Sequence, residues 1–435
     1  MLRKDSSPAL AFIFVTVLID MIGFGIVLPV LPDLIMELKD VTVSQASLYG
    51  GWLLFTYAIL QFFCGPIVGN LSDRFGRRPV LLWSMLAFGL DYALMGIAPS
   101  IAWLFLGRAV AGMAGAAHTT ANAYIADVSP PEKRAQNFGL MGAAFGLGFI
   151  IGPALGGLLG SYGSRAPFFA AAALALLNLC YGYFVLPESL PPQGRRPFHW
   201  HRANTLGTIL QLRSYPLVFA LAGALFLWML GHQVLPSIWA YYTKEKFAWS
   251  SRDVGVSLAF AGVLMAAVQA GLTRFIVPRL GERRTVMVGL TAGGLGYLGY
   301  AAATQGWMMY CVMLVGMMAG LTFPSLNALM SQQIPKNAQG ELQGAVASIF
   351  SLTSIVGPVV MTQLFGYFSS PAAPFYFPGA AFIFATFLVV LSMIVFLRVV
   401  RHAVEPAEVE LAAATAEIDA ASKVPSDEAP VVPGA

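Results

Sequence analysis

Three ionisable side chains sit where an apolar chain should not hold them. Asp20, Asp91 and Arg108 each fall inside a long apolar run. A charge at the centre of a bilayer costs about 2.5–3.5 kcal/mol on insertion scales, so it faces a cavity or a partner and marks an ion or substrate path. Arginine keeps its proton, so Arg108 needs acids or carbonyls beside it. Asp20 and Asp91 are the acids within reach of such a pairing, and the chemistry the three offer is coupled proton binding and release. Gln61, Asn122, His232, Gln233, Gln269 and Asn327 are neutral polar residues in similar runs and read as the lining of a substrate cavity. For each, a structural hydrogen bond to a neighbouring helix is the competing reading. His118 reads as a packed histidine and not as a proton carrier.

Other chemistries lack their residues. No nucleophile–base set or phosphate-binding loop is present, which argues against an enzyme. His199 and His201 read as solvated loop residues. Cys64, Cys180 and Cys311 lie in apolar runs without metal-ligand spacing and are expected to be buried free thiols. No metal or cofactor is expected.

The elements that position these residues follow from composition. Of 435 residues 57% are hydrophobic and 11% charged, against about 25% charged in soluble domains. A bilayer span needs about 20 apolar residues. Such stretches lie near 10–31, 46–68, 79–98, 101–125, 136–160, 166–186, 215–240, 253–277, 285–303, 306–330, 341–366 and 374–398. The expected fold class is an all-α membrane protein of twelve transmembrane helices. The first run is long and carries Asp20, so it reads as a retained helix and not a cleaved signal.

Between the second and third runs lies Gly69–Pro79, a charged hairpin holding Asp73, Arg74, Arg77 and Arg78. Gly69 and Gly76 are expected to permit close packing and a sharp reversal. Its arginines place it on the cytoplasmic side. With both termini cytoplasmic, Lys39, Arg165, Lys244, Lys246 and Arg252 would be the external basic residues. No basic stripe lies on a soluble element, which argues against nucleic acid as a partner. The fifth run carries Gly146, Gly148, Gly152, Pro153, Gly156, Gly157 and Gly160, a flat face for helix packing.

The chain repeats itself. Arg279-Leu-Gly281-Glu-Arg283-Arg284 follows Arg74-Phe-Gly76-Arg-Arg78-Pro79 at the same offset by which Pro358 follows Pro153 and Gly344 follows Gly139. That implies two parallel repeats related by an axis along the membrane normal. The expected organisation is an N-terminal six-helix bundle over 1–187, a basic linker over 188–213, a second bundle over 214–400 and a disordered acidic tail over 401–435. The second half has no acid in its runs. Trp228 could stack on an aromatic ligand, while Trp239, Tyr241 and Tyr242 read as an interfacial belt.

The ordered Gly-x₃-Asp-Arg-x-Gly-Arg-Arg hairpin resembles the signature loop of the major facilitator superfamily. Gly146–Gly157 resembles the helix-5 signature of its proton-driven drug exporters. Leu18–Pro32, Gln61–Pro79, Asp91-Tyr92, Arg108 and Tyr124–Asp127 are similar to the tetracycline/proton antiporter branch. The resemblance implies two pseudo-symmetric bundles, proton coupling through Asp20, Asp91 and Arg108, and a cytoplasmic gate at Gly69, Asp73, Arg74, Gly76, Arg77 and Arg78. It also implies an antiporter motif at Gly148, Gly152, Pro153, Gly156 and Gly157, and a cavity that includes Gln61 and Gln269. Met265 and Gly293 stand where that branch carries a histidine and an acid, so the implied class is efflux and not tetracycline as such. The expectation is a monomeric, proton-coupled exporter of a small amphipathic or aromatic compound in the bacterial inner membrane. A metabolite uniporter or proton symporter of the same fold is the first competing reading, and a non-transporting membrane sensor the second.

Overall fold

The computed structural model describes residues 6–115, 117–196, 213, 215–335 and 338–421. Among the described residues there are helices and turns and no strand. The helices are α1 (Ser6–Val27), α2 (Leu31–Lys39), α3 (Val43–Phe75), α4 (Arg77–Ile97), α5 (Ile101–Ala114), α6 (Ala117–Val128), α7 (Arg134–Gly160) and α8 (Ala166–Val185). After the linker come α9 (Pro216–His232), α10 (Val234–Phe247), α11 (Ser251–Ala267), α12 (Thr273–Ala302), α13 (Gly306–Gly316), α14 (Thr322–Gln332), α15 (Gln339–Phe368) and α16 (Ala380–Ala421).

Among the described residues, ten helical stretches are long and apolar enough to cross a membrane. The expected eighth and ninth spans are helical but fall short of that measure. A π turn over Val268–Leu272 ends α11. The helix after it runs through Pro278 and a non-helical Gly281 and carries the second charged hairpin. The π turn cuts the eighth to 17 residues, and the glycines and tyrosines of the uncharged stretch after the hairpin dilute the apolar character of the ninth.

Local chemistry sets the boundaries. Pro29 lies in the turn between α1 and α2 and Pro32 in the first turn of α2, and proline cannot donate a helical N–H. Both halves use reciprocal capping boxes, Thr42 with Gln45 before α3 and Ser250 with Asp253 before α11. Each capped helix follows a residue in the left-handed region, Asp40 and Ala248. The repeated hairpin glycines behave alike: Gly76 has φ 107° and Gly281 φ 74°. These φ values need glycine at both turns.

α1 packs on α7, α4 on α8, and α3 on α5, while α9 and α12 pack on α16. The two groups meet where α7 lies against α11 and α3 against α15. The face carrying Gly69–Pro79 is called the hairpin face, and the opposite one the far face. α16 continues past the apolar run to Ala421, where a disordered tail is expected. Alanine and glutamate propagate a helix already started. His199 and His201 lie outside the described residues, as do residues 422–435 and the side chain of His118.

Three side-chain expectations are corrected. Trp239, Tyr241 and Tyr242 form no lipid-facing belt, because all three are buried. Trp239 donates to Ser257 Oγ at 2.9 Å, Tyr242 to the Tyr300 carbonyl at 2.5 Å, and Tyr241 packs on Gly50 of the other half. The cysteines are free, but Cys180 and Cys311 are exposed and Cys64 is half-buried. Apolar surface facing lipid counts as exposed in the protein alone. Gly69 meets no neighbour, so it is not a packing glycine in this arrangement.

Candidate functional site

Polar side chains gather where helices are interrupted. The chain breaks between α5 and α6 at Gly115, between α9 and α10 at Gln233, at Val268–Leu272, and at the 3₁₀ turn Met317–Leu321. Each interruption leaves carbonyls without helical partners, and such discontinuous helices build midplane sites in transporters. Gln61 donates to the Gly115 carbonyl at 3.0 Å. Gln233 donates to Ser354 Oγ at 2.9 Å. His232 Nδ1 lies 3.1 Å from Tyr297 Oη and stacks on Trp228 at 5.2 Å. Gln269 sits exposed on the π turn. Asn327 accepts from Gln343 at 3.4 Å, and Asn122 is exposed on α6.

The charged trio divides into a pair and a single acid. Arg108 pairs with Asp91 through both guanidinium nitrogens that face it, Nε at 3.3 Å and the terminal nitrogen in closer contact. Asp91 is fully buried and Arg108 nearly so. Arg108 also lies over the rings of Tyr57 at 5.8 Å and Tyr92 at 6.0 Å, two cation–π contacts. The bare Cα of Gly107 makes room for Asp91, since a Cβ there would meet its carboxylate at 2.6 Å. Asp20 is half-buried and bonded to a neutral amide. Asn178 donates to Asp20 Oδ1 and to the Thr16 carbonyl, each at 3.1 Å. Among the described residues, the buried Asn178 Oδ1 has no hydrogen-bond partner. Asn178 is thus a site residue that the sequence reading missed. The signal was there, a lone amide in an apolar run.

The hairpin folds onto its own half. Asp73 meets Arg77 at 2.5 Å, and Arg77 also reaches Asp127 at 3.2 Å and Ser72 at 2.6 Å. Glu188 accepts from the backbone N–H of Arg77 at 2.8 Å and of Arg78 at 3.3 Å, capping α4. Arg74 is exposed and lies over Phe75 at 5.1 Å. Glu188 was read only as the start of a linker.

α7 presents glycine in two directions. A Cβ at Gly148, Gly152 or Gly156 would meet Met21–Ile26 of α1 at 2.2–2.8 Å. A Cβ at Gly157 would meet the Ser251 carbonyl at 2.7 Å, and the Pro153 carbonyl abuts Gly255, so this second face seats α11 of the other half.

A family model described as Major Facilitator Superfamily matches residues 13–358 and 276–426. The chain belongs to that superfamily. This facilitator is a multi-pass membrane transporter. It is 43% identical over 360 residues to the class C tetracycline resistance protein of Escherichia coli, covering 83% of this chain and 90% of that one. It is 39% identical to the class G protein of Vibrio anguillarum, at 83% and 90% coverage. The crystal structure of the human organic anion transporter MFSD10 (TETRAN) superposes with a TM-score of 0.67 at 23% identity, covering 91% of this chain and all of that one.

In this facilitator the two departures have structural settings. Gly293 is buried against Ala319, whose Cβ would lie 3.2 Å from a Cβ at position 293, so a larger side chain there would strain the packing of α12. Met265 is 52% exposed, so its side chain is not locked into the core.

Proposed function

We propose that this facilitator exports a small amphipathic or aromatic compound, tetracycline-like in character, in exchange for protons. The halves over 1–187 and 214–400 would rock about the midplane polar set, and one chain supplies both walls of that cavity, so a monomer suffices. The hairpin face is assigned to the cytoplasm of a bacterial inner membrane, with both termini on that side, on the strength of its arginines.

The observation that carries the reading is the asymmetry between the two acids. Asp91 has a full counter-charge in Arg108, so protonating it would leave a buried guanidinium unpaired. Among the described residues Asp20 has no ion pair and is hydrogen-bonded by the neutral amide of Asn178, and either protonation state finds a partner there. Ionised, Asp20 accepts from the amide N–H. Protonated, it can donate to the amide oxygen that otherwise has no partner. Asp20 is therefore the proton site and Asp91–Arg108 the fixed electrostatic wall. Asp20 lies on α1 directly before Met21 and Ile22, which press on Gly148 and Gly152. A shift of α1 on protonation would be handed to α7 and from there to the opposite half. The name tetracycline resistance protein, borne by relatives at 43% and 39% identity, supports the class of compound.

The test is transport in proteoliposomes under an imposed proton gradient. Asp20→Asn is expected to lose gradient-driven flux while retaining counterflow exchange. Undiminished gradient-driven flux would remove Asp20 from the coupling.

A further inference from the structure

The far face holds an ion pair that joins the two halves. Lys244, at the end of α10, donates to Asp33 Oδ1 at 2.8 Å and Oδ2 at 2.9 Å. Asp33 stands in the first turn of α2. Lys244 also donates to Ser251 Oγ at 2.8 Å, and Ser251 in turn donates to Asp33 and lies 3.2 Å from the Pro29 carbonyl. The Lys244 side chain is 7% exposed and that of Asp33 30%, so the pair is largely out of solvent. Ser251 is held by its neighbours: α11 begins there behind the Ser250–Asp253 cap, and Gly157 and Gly160 close on it from α7.

The surroundings place this cluster on a path. Outside it opens a vestibule of about 510 Å³, walled by Met36 and Val43 from one half and Trp249 and Arg252 from the other. Beneath it Leu31, Leu54, Pro236 and Tyr241 leave a gap of only about 30 Å³ between the halves. The hydrogen bonds described between the halves lie at this end: those of the cluster, Ser44 to the Gly366 carbonyl at 2.8 Å and Ser47 to the Thr362 carbonyl at 3.5 Å. Of these contacts, Asp33–Lys244 alone is charged on both sides.

We propose that Asp33 and Lys244, positioned by Ser251, are the far-side gate of the transport cycle. The pair stabilises the arrangement closed at the far face and must separate before a compound passes the Leu54–Tyr241 constriction into the vestibule. Separation strands a shielded ammonium and a carboxylate until water enters, so the pair sets how often the far side opens. This assignment rests on the alternating-access reading above but not on the cargo or the proton.

The experiment reads gate opening without transport. Leu54→Cys is labelled by a membrane-impermeant maleimide added from the far side of sealed vesicles, with the native cysteines present in the Leu54 control. Asp33→Asn and Lys244→Met are each expected to raise the labelling rate about tenfold. The charge-swapped double variant Asp33→Lys with Lys244→Asp is expected to return it toward the control. A second measurement covers variants that fold poorly: Asp33→Cys with Lys244→Cys, bridged by a short bifunctional methanethiosulfonate, should lose flux and regain it on reduction. Labelling unchanged in both single variants, or full flux through the bridged protein, overturns the gate. Loss of proton dependence with labelling still responsive would instead overturn the coupling mechanism and leave the gate standing.

Discussion

The two ends of the contact between the halves differ in kind. Towards the far face, backbone meets backbone: Gly157 against Ser251 and Gly255 against Pro153, with Gly366 closed on Leu48. Towards the hairpin face, Gly139, Gly142 and Gly146 on α7 and Gly65 and Gly69 on α3 meet nothing within 4 Å. The same helices thus run from close seating to open space. The charges follow the same division. Asp33 and Lys244 bond across the halves, whereas Asp73, Arg77, Asp127 and Glu188 bond within one. The glycine row is longer than the present contact, and under the rocking motion proposed above its unused part would serve the arrangement with the hairpin face closed.

That comparison is sharpest at α7. Gly156→Val places side-chain atoms where a Cβ already stands 2.2 Å from the Ile26 carbonyl. Backbone cannot yield as a rotamer can, so a loss of about 3 kcal/mol or more is expected in denaturant unfolding or Tm. Gly146→Val meets no neighbour, and its effect on stability should stay within about 1 kcal/mol. Its flux should nevertheless fall severalfold, because the closed hairpin face would have to accommodate the added side chain. Equal stability losses for the two variants would break the distinction between a used and an unused surface.

A smaller effect is expected at the hairpin. Glu188→Gln weakens a charged cap on α4, and a loss of about 1 kcal/mol should appear in thermal unfolding. Since Glu188 joins residues of one half, the far-side labelling of Leu54→Cys should not change.

The smallest effect is at the far rim. Glu37 bonds Ser164 and meets Arg165 at 3.1 Å. The Ser164 hydroxyl, and then the Arg165 charge, hold its carboxyl below the usual glutamate value of 4.5. A depressed carboxyl stabilises the fold above its ordinary value and loses that contribution as pH falls through the shifted one. The Tm difference between wild type and Glu37→Gln, modest at pH 7 because Glu37 is exposed, should begin to shrink as pH falls below 4.5 and vanish once the pH is under the lowered native value.

Much of this was legible because a bilayer punishes polar groups. Asp20, Asp91, Arg108 and Gln61 stood out against apolar neighbours, and each occupies a defined place in the structure. The repeated hairpin glycines were legible because an unusual φ restricts residue choice. Partnership was less legible. That Arg108 takes Asp91 and leaves Asp20 to Asn178 depends on how α4, α5 and α8 are rotated, which apolar periodicity fixes poorly in helices hydrophobic all round. Lys244 read as one external basic residue among several because its pairing with Asp33 spans the two halves. Tyr241 looked like an interface anchor because an aromatic near a span end reads the same whether it meets lipid or the glycine of another helix.

The glycines of α7 also bear on how this chain could change its cargo. The contacts of Gly152, Gly156 and Gly157 are with main-chain atoms of α1 and α11, which no substitution in the neighbour can shrink. Gln61 instead holds a single carbonyl at a helix break, His232 and Gln233 bond side chains, and Gln269 lies open. Under selection for a new compound, adaptive substitutions should accumulate in the second group and spare the first. The moving parts would then be inherited intact while the specificity of the pore drifts.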